Sequence, residues 1–322
     1  VLLVLLLGGF RVIDGRIDSG TFLSFLLILM IVSGKFFELG CIAISGRRAL
    51  VSATRIRTLG ETEPDVREDA APLVFTGLRE RISFDGVGFG YNGSTEDALS
   101  GISFNIAKGS RVAIVGPVGS GKSTLVGLIP RLYDATQGIV ALDGVDIREF
   151  RLRELREHIG YVPQEAQLFS GTIEDNVVFG RQGVTLEAME RACRVSQFSN
   201  DLKSFPDGLK TMVGHRGLTL SGGQKQRLAL ARALAGAPEI LILDDCSSAL
   251  DADTEARLWK ALSRETPGMT VLLISHRIAT VRRADQIVVL DGGRISGTGT
   301  HDQLLESGDP VYTRLYKAQT GE

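Results

Sequence analysis

A chain of 322 residues is too long for one ordinary domain. Its 36 Lys and Arg nearly balance 38 Asp and Glu, and no basic run lies beside aromatics, which argues against nucleic acid as a partner. The three cysteines, Cys41, Cys193 and Cys246, stand too far apart for a disulfide framework or a zinc site and read as reduced thiols or buried small residues.

The chain starts at Val1 in the middle of an apolar run, and the expectation is a C-terminal fragment of a longer protein. Val1 to Phe10 is almost wholly aliphatic but covers only half of the roughly twenty residues that a helix needs to cross hydrocarbon, so it reads as the tail of a cut helix. Arg11 to Gly20 is a short polar connection. From Thr21 to Val32 the chain is nearly continuous in Phe, Leu, Ile and Met, and a helical pattern continues through Lys35 and Glu38 to Ile44. This segment is a candidate span, with Lys35 either snorkelling or facing a bundle interior. Arg47, Arg48, Arg55 and Arg57 follow it, and the positive-inside bias puts that end in the cytoplasm.

The expected division is therefore 1–60 as the end of a transmembrane domain, with a cut helix at 1–10 and a spanning helix at about 21–58, then an acidic, Pro-containing linker at 61–78, then a second domain at 79–322. In the last part, Arg81 to Phe89, Gly101 to Ile106, Val112 to Val115, Ile139 to Leu142, Tyr161 to Pro163, Ile240 to Leu243, Thr270 to Ile274 and Gln286 to Leu290 read as strands. Leu152 to His158 and most of Leu186 to Ala235 read as helical. Strands alternating with helices predict a mostly parallel sheet with its ligands at the strand C-terminal edge.

Gly116-Pro117-Val118-Gly119-Ser120-Gly121-Lys122-Ser123-Thr124, entered from the Val112 strand, is a P-loop. Its glycines let N–H groups turn in around phosphate oxygens, Lys122 adds a point charge, a helix starting there adds its dipole, and Ser123 is placed to ligate Mg²⁺. ATP or GTP is the implied ligand. Leu220-Ser221-Gly222-Gly223-Gln224 precedes a helical run with Ser221 as its natural N-cap. The strand Ile240 to Leu243 ends in Asp244, which fits the metal role, and Asp245, from which a carboxylate could polarise water.

Taken together, these segments resemble the nucleotide-binding domain of ABC transporters, a fold that is an α/β P-loop NTPase with a mostly parallel sheet plus a helical subdomain, here preceded by α-helical transmembrane segments. The resemblance implies that Tyr91 stacks on adenine, and that Gln164 in Tyr-Val-Pro-Gln touches Mg²⁺ and water at the contact with the membrane domain. It also implies that Leu220 to Gln224 is the signature loop, Ser248-Ala249-Leu250-Asp251 the D-loop, and His276 the switch histidine. His158, His215 and His301 match no such role.

Leu168 to Asn176 and the preceding apolar helix look like the exporter branch, in which membrane and ATPase parts share a chain, and the resemblance then implies a bacterial inner-membrane protein with its ATPase domain in the cytoplasm. In that family two nucleotide-binding domains face each other head to tail, each ATP lying between the P-loop of one and the signature loop of the other. ATP, Mg²⁺, membrane lipid and a second half-transporter are the implied ligands and partners, and the sequence names no cargo.

Three positions depart from the family pattern. Asp245 stands where Glu is expected, Cys246-Ser247 where Ala-Thr is common, and His215 where a Glu usually precedes the signature. The shorter Asp245 predicts slow turnover, as in heterodimeric exporters with one degenerate site. A homodimer with two slow sites and a non-hydrolytic ATP clamp stay open.

Overall fold

The computed structural model describes residues 2–181, 183–214, 220–246 and 250–320. They form two compact units, Val1–Pro64 and Asp65–Glu322.

The first unit is a helical pair, α1 (Leu2–Ile13) and α2 (Ser19–Glu61). Asp18 caps α2, its Oδ2 accepting the N–H groups of Gly20 and Thr21 at 2.9 and 3.1 Å. The two helices approach closely at Gly8, where an added Cβ would lie 2.1 Å from the Phe22 ring. At 1.5 Å per residue, the 43 residues of α2 extend about 65 Å, roughly twice the thickness of membrane hydrocarbon. Among the described residues α2 is the helix long and apolar enough to cross a membrane. Leu23, Phe25, Leu27, Ile28, Met30 and Ile31 are all exposed on it, a surface that water penalises and lipid does not. The Lys35 ammonium meets the Glu38 carboxylate at 2.9 Å, one turn on, so the apolar stretch carries a neutralised pair instead of a lone cation.

The second unit opens with β1 (Arg81–Phe89), β2 (Leu99–Ala107), β3 (Arg111–Val115), α3 (Lys122–Leu128), β4 (Gln137–Leu142) and β5 (Val145–Asp146). It continues through α4 (Leu152–Glu157), β6 (Ile159–Val162), β7 (Gly171–Thr172), α5 (Ile173–Val178), α6 (Leu186–Val195), α7 (Ser199–Leu202), β8 (Met212–Val213) and α8 (Gly222–Ala235). It closes with β9 (Ile240–Asp244), α9 (Ala252–Glu265), β10 (Thr270–Ile274), α10 (Ile278–Val281), β11 (Gln286–Asp291), β12 (Arg294–Gly299), α11 (His301–Glu306) and α12 (Pro310–Thr320).

The main sheet runs β12-β11-β3-β10-β9-β6, parallel except for the edge strand β12. Each parallel strand is covered on both faces, and its side chains sort by parity. Ala113, Val115, Leu241, Leu243, Val271 and Leu273 pack with α6, α8 and α9, whereas Val112, Ile114, Ile240, Ile242, Leu272 and Ile274 pack with α3 and a second sheet. That second sheet is antiparallel, β2-β1-β4-β5, with Arg81 opposite Ala107 and Phe89 opposite Leu99. The sequence reading did not separate it from the parallel one. The helical stretch expected over Leu186 to Ala235 is interrupted by β8, which pairs with β7.

The second unit also starts earlier than the expected Arg79. Phe75 and Leu78 are buried at 4% and 1% exposure, and Leu73 bridges to Phe150. The buried Arg131 guanidinium donates to the Arg67 carbonyl at 2.9 Å, and Glu68 accepts the Leu152 N–H at 2.7 Å. Acidic residues and prolines around this stretch mask the apolar side chains that tie it down.

Candidate functional site

The C-terminal ends of β3, β6, β9 and β10 lie along one edge of the parallel sheet, since Ile274 is in register with both Ile114 and Asp244, and Val162 with Leu243. The loop after β3 needs glycine for two separate reasons. Gly116 has φ +153°, and a Cβ there would lie 2.1 Å from the Leu290 carbonyl oxygen; Gly121 has φ +94°, and a Cβ there would lie 2.6 Å from the Ala98 carbonyl oxygen. Gly121 then caps α3 without any side-chain bond, leaving the first-turn N–H groups for an outside acceptor. The Lys122 ammonium folds back and donates to the carbonyls of Gly116 (3.0 Å) and Pro117 (2.6 Å). Burial lowers its pKa, against the pull of Asp244 and Asp245.

Ser123 Oγ donates to Asp244 Oδ1 at 3.1 Å, and the Tyr161 hydroxyl donates to Oδ2 at 3.4 Å. Asp244 is 4% exposed. Burial raises its pKa and Asp245 adds to this, while the bonds from Ser123 and Tyr161 and the charge of Lys122 oppose it. A hydroxyl and a carboxylate in contact, both hard oxygen donors, form a set that fits Mg²⁺.

Asp245 follows with φ +45°, a left-handed conformation that Asp tolerates better than most residues, and its N–H donates to the Ile274 carbonyl at 3.1 Å. Burial raises the Asp245 pKa, and His276, Lys122 and Arg277 hold it down. These groups therefore share one electrostatic neighbourhood.

Gln164 is exposed, two residues past β6, and its carbonyl accepts from the Gln226 side chain of α8 at 2.8 Å. His276 lies two residues past β10. The Gln319 side chain, on α12, donates to its carbonyl and accepts the Ile278 N–H at 2.9 Å. Tyr91 is tied to the P-loop helix, its hydroxyl sharing a 2.9 Å hydrogen bond with Thr124 Oγ1. Its ring meets Phe89 and Tyr133 edge-on and stays 43% exposed, open to a stacking partner.

Ser221, Gly222, Gly223, Gln224 and Asp251 stand at the starts of α8 and α9. Ser221 and Gln224 form a reciprocal capping box, and Arg227 grips Asp201 with two bonds of 2.7 and 2.9 Å, which anchors this helix to α7. Among the described residues an added Cβ on Gly222 meets nothing within 4 Å, so their packing does not require glycine there. The Asp251 carboxylate accepts the Thr254 N–H and hydroxyl, both at 2.8 Å, and so acts here as the cap of α9. His215, Ser247, Ser248 and Ala249 lie outside the described residues.

His158 and His301 have structural partners, Glu239 at 3.0 Å and the Tyr312 hydroxyl at 2.7 Å. Tyr161, Gln226 and Gln319 bond Asp244, Gln164 and His276, and Glu255 bonds Arg277 next to His276; the sequence alone assigns none of the four a role. Tyr161 and Gln226 at least neighbour recognised segments, whereas Gln319 is 43 residues from His276 and carries no local signal.

The sequence profile of the ABC transporter family matches residues 99–248. Over 321 residues the chain is 40% identical to an uncharacterized ABC transporter ATP-binding protein, YwjA, of Bacillus subtilis, with 100% of this chain and 56% of the relative aligned. It is 38% identical to the ATP-dependent lipid A-core flippase of Chromobacterium violaceum, with 99% of this chain and 54% of the relative aligned. The chain thus spans about half the length of these curated relatives. A solved bacterial Atm1-family ABC exporter with ATP bound superposes with a TM-score of 0.80 at 38% identity, covering 86% of this chain and 48% of that one. The chain belongs to the ABC transporters and is homologous to exporter-type members that join a permease to an ATP-binding domain.

Proposed function

We propose that this chain is the ATP-driven end of an ABC exporter half-transporter, with α2 in a bacterial inner membrane and residues 65–322 in the cytoplasm. The observation that carries this reading is the meeting of Lys122, Ser123, Asp244 and Asp245 at one sheet edge, with Ser123 and Asp244 in contact. Lys122, already an ammonium bonded to loop carbonyls, exchanges those for phosphate oxygens of ATP. Residues 116–124 supply N–H groups to the same phosphates, and Tyr91 offers its open ring to the adenine. Ser123, Asp244 and Gln164 hold Mg²⁺, which when bound neutralises charge on the phosphate oxygens. Asp245 orients the attacking water and His276 completes the edge.

Ser221 to Gln224 and Asp251 face the nucleotide of a second nucleotide-binding domain, so that two domains close on two ATP molecules and separate after hydrolysis. Gly222 supports this arrangement, because its missing side chain leaves room that none of the described residues fills.

Asp245 favours a heterodimer in which this chain's own P-loop turns over slowly. The carboxylate is one methylene shorter than Glu, and its left-handed backbone leaves little freedom to reach further. The test is steady-state ATP hydrolysis by the full-length protein in liposomes, alone and with its partner half, comparing the native sequence with Asp245→Glu. A rise of about tenfold at this P-loop is expected. Unchanged turnover overturns the slow-site reading, and an absence of Mg²⁺-dependent hydrolysis in every preparation overturns the exporter ATPase itself.

A further inference from the structure

Glu255 is a carboxylate at 6% exposure, on α9, one helical turn past the capping residue Asp251. Withdrawing that charge from water is costly unless it is paired. Its partners both belong to the segment that carries His276: Arg277 Nη1 donates to Oε2 at 2.7 Å, and the hydroxyl of the buried Thr280 donates to Oε1. A cavity of 300 Å³ opens between α9 and α10, bordered by Glu255, Trp259, Arg277 and Thr280. Ile278 and Val281 anchor the segment in the core, and the polar bonds to Glu255 hold it on the side that faces this cavity.

On the other side the Gln319 amide bridges the His276 carbonyl and the Ile278 N–H. Ser275 adds a local brace, its Oγ accepting the Arg277 N–H at 3.1 Å. The segment that carries His276 is thus held from two separate helices, Gln319 of α12 bonding its backbone and Glu255 of α9 bonding the side chains of Arg277 and Thr280.

We propose that Glu255 is a positioning residue that holds the His276 loop, through Arg277 and Thr280, in register with α9. The proposal rests on the ATPase reading above and deepens it: the position of the helix begun by the D-loop aspartate sets where the switch histidine stands. Arg277, steered by Glu255, also contributes positive charge felt at Asp245, as do His276 and Lys122. Glu255 itself touches no substrate and acts through its neighbours.

The experiment is ATP hydrolysis by the full-length protein in its native complex, with hydrolysis at any second, non-identical P-loop disabled. Glu255→Ala, Glu255→Gln, Glu255→Asp, His276→Ala and the double variant Glu255→Ala/His276→Ala are compared. Glu255→Ala is expected to lower kcat about tenfold with KM for ATP within twofold, and Glu255→Asp to recover part of that loss. Glu255→Gln, nearly isosteric, keeps the acceptor for Thr280 and loses the ion pair, so an intermediate kcat is expected from a variant that should fold. The double variant is expected to be no slower than His276→Ala alone, because both substitutions remove one function.

Losses that multiply in the double variant, or a fall in kcat matched by a similar change in KM, assign Glu255 to general stability and overturn the proposal. Normal kcat in both Glu255→Ala and Glu255→Gln, with His276→Ala impaired, overturns the proposal alone. Normal turnover in His276→Ala overturns the switch reading and the proposal with it.

Discussion

Ser123 Oγ and Asp244 Oδ1 stand 3.1 Å apart although 121 residues separate them in sequence. The contact joins the first turn of α3 to the end of β9, across β10, which lies between β3 and β9 in the sheet. Asp244→Asn preserves the shape and the Ser123 bond but deletes the charge that a divalent cation requires. Mg²⁺-dependent ATP turnover is expected to fall by about 100-fold or more, while nucleotide binding without Mg²⁺ changes by a few-fold. Equilibrium binding with and without the cation, beside steady-state turnover, checks this.

Two glycines, one in the P-loop and one in the signature loop, should respond in opposite ways. Gly116→Ala forces a Cβ against the Leu290 carbonyl at a positive φ, and a loss of about 2–4 kcal/mol is expected, visible as a lower Tm. Gly222→Ala enters open space at the start of α8, so stability should stay within about 0.5 kcal/mol while ATP turnover drops. Thermal melts of the ATP-free protein, run beside hydrolysis assays, separate the two effects.

Asp143 accepts the N–H groups of Arg79, Glu80 and Arg81 at 2.7, 2.7 and 3.0 Å and so pins the start of β1. Burial pushes its pKa up, but the three bonds and the Arg79 charge outweigh that and leave it below the usual carboxylate value. Because the folded pKa is depressed, this stabilisation is full above the unfolded value and fades as pH falls through the folded one. Asp143→Asn is expected to cost about 1–2 kcal/mol at pH 7, discounted for partial exposure, and progressively less below about pH 4. Urea unfolding at pH 7 and pH 3.5 checks the difference.

Cys193 and Cys246 are buried, and burial pushes their thiols up to about 11 and about 12. At pH 8 neither forms appreciable thiolate or meets reagent in the folded protein. Iodoacetamide followed by mass spectrometry should therefore leave both unmodified until the chain is denatured.

Much of this site is local in sequence and was legible there. The glycine spacing of 116–121, the apolar strand ending at Asp244-Asp245 and the Ser221 cap all declare their geometry within a few residues. The parity of Val112 to Val115 and Ile240 to Leu243 is invisible as a pattern because both faces are apolar, so which residue packs on which side emerges only with the sheet. The antiparallel sheet was missed for a related reason, since β1 and β2 look like any alternating strands until their partner β4 is known. The early start of the second unit depends on Arg131, whose guanidinium reaches 64 residues back in the chain to Arg67. Glu255 and Gln319 act across 22 and 43 residues through single side chains, below the resolution of any periodicity.

Gln226 links two of these features. From one turn beyond the Ser221 cap it donates to the main chain of Gln164 and thereby joins the start of α8 to the loop after β6. In the head-to-tail pairing proposed above, that loop attends one nucleotide and the signature segment attends the other. In that pairing a single amide would link the segments that attend two ATP molecules. Occupancy at one site should bias affinity at its twin, and Gln226→Ala should flatten the cooperativity of ATP binding before it alters either site's chemistry.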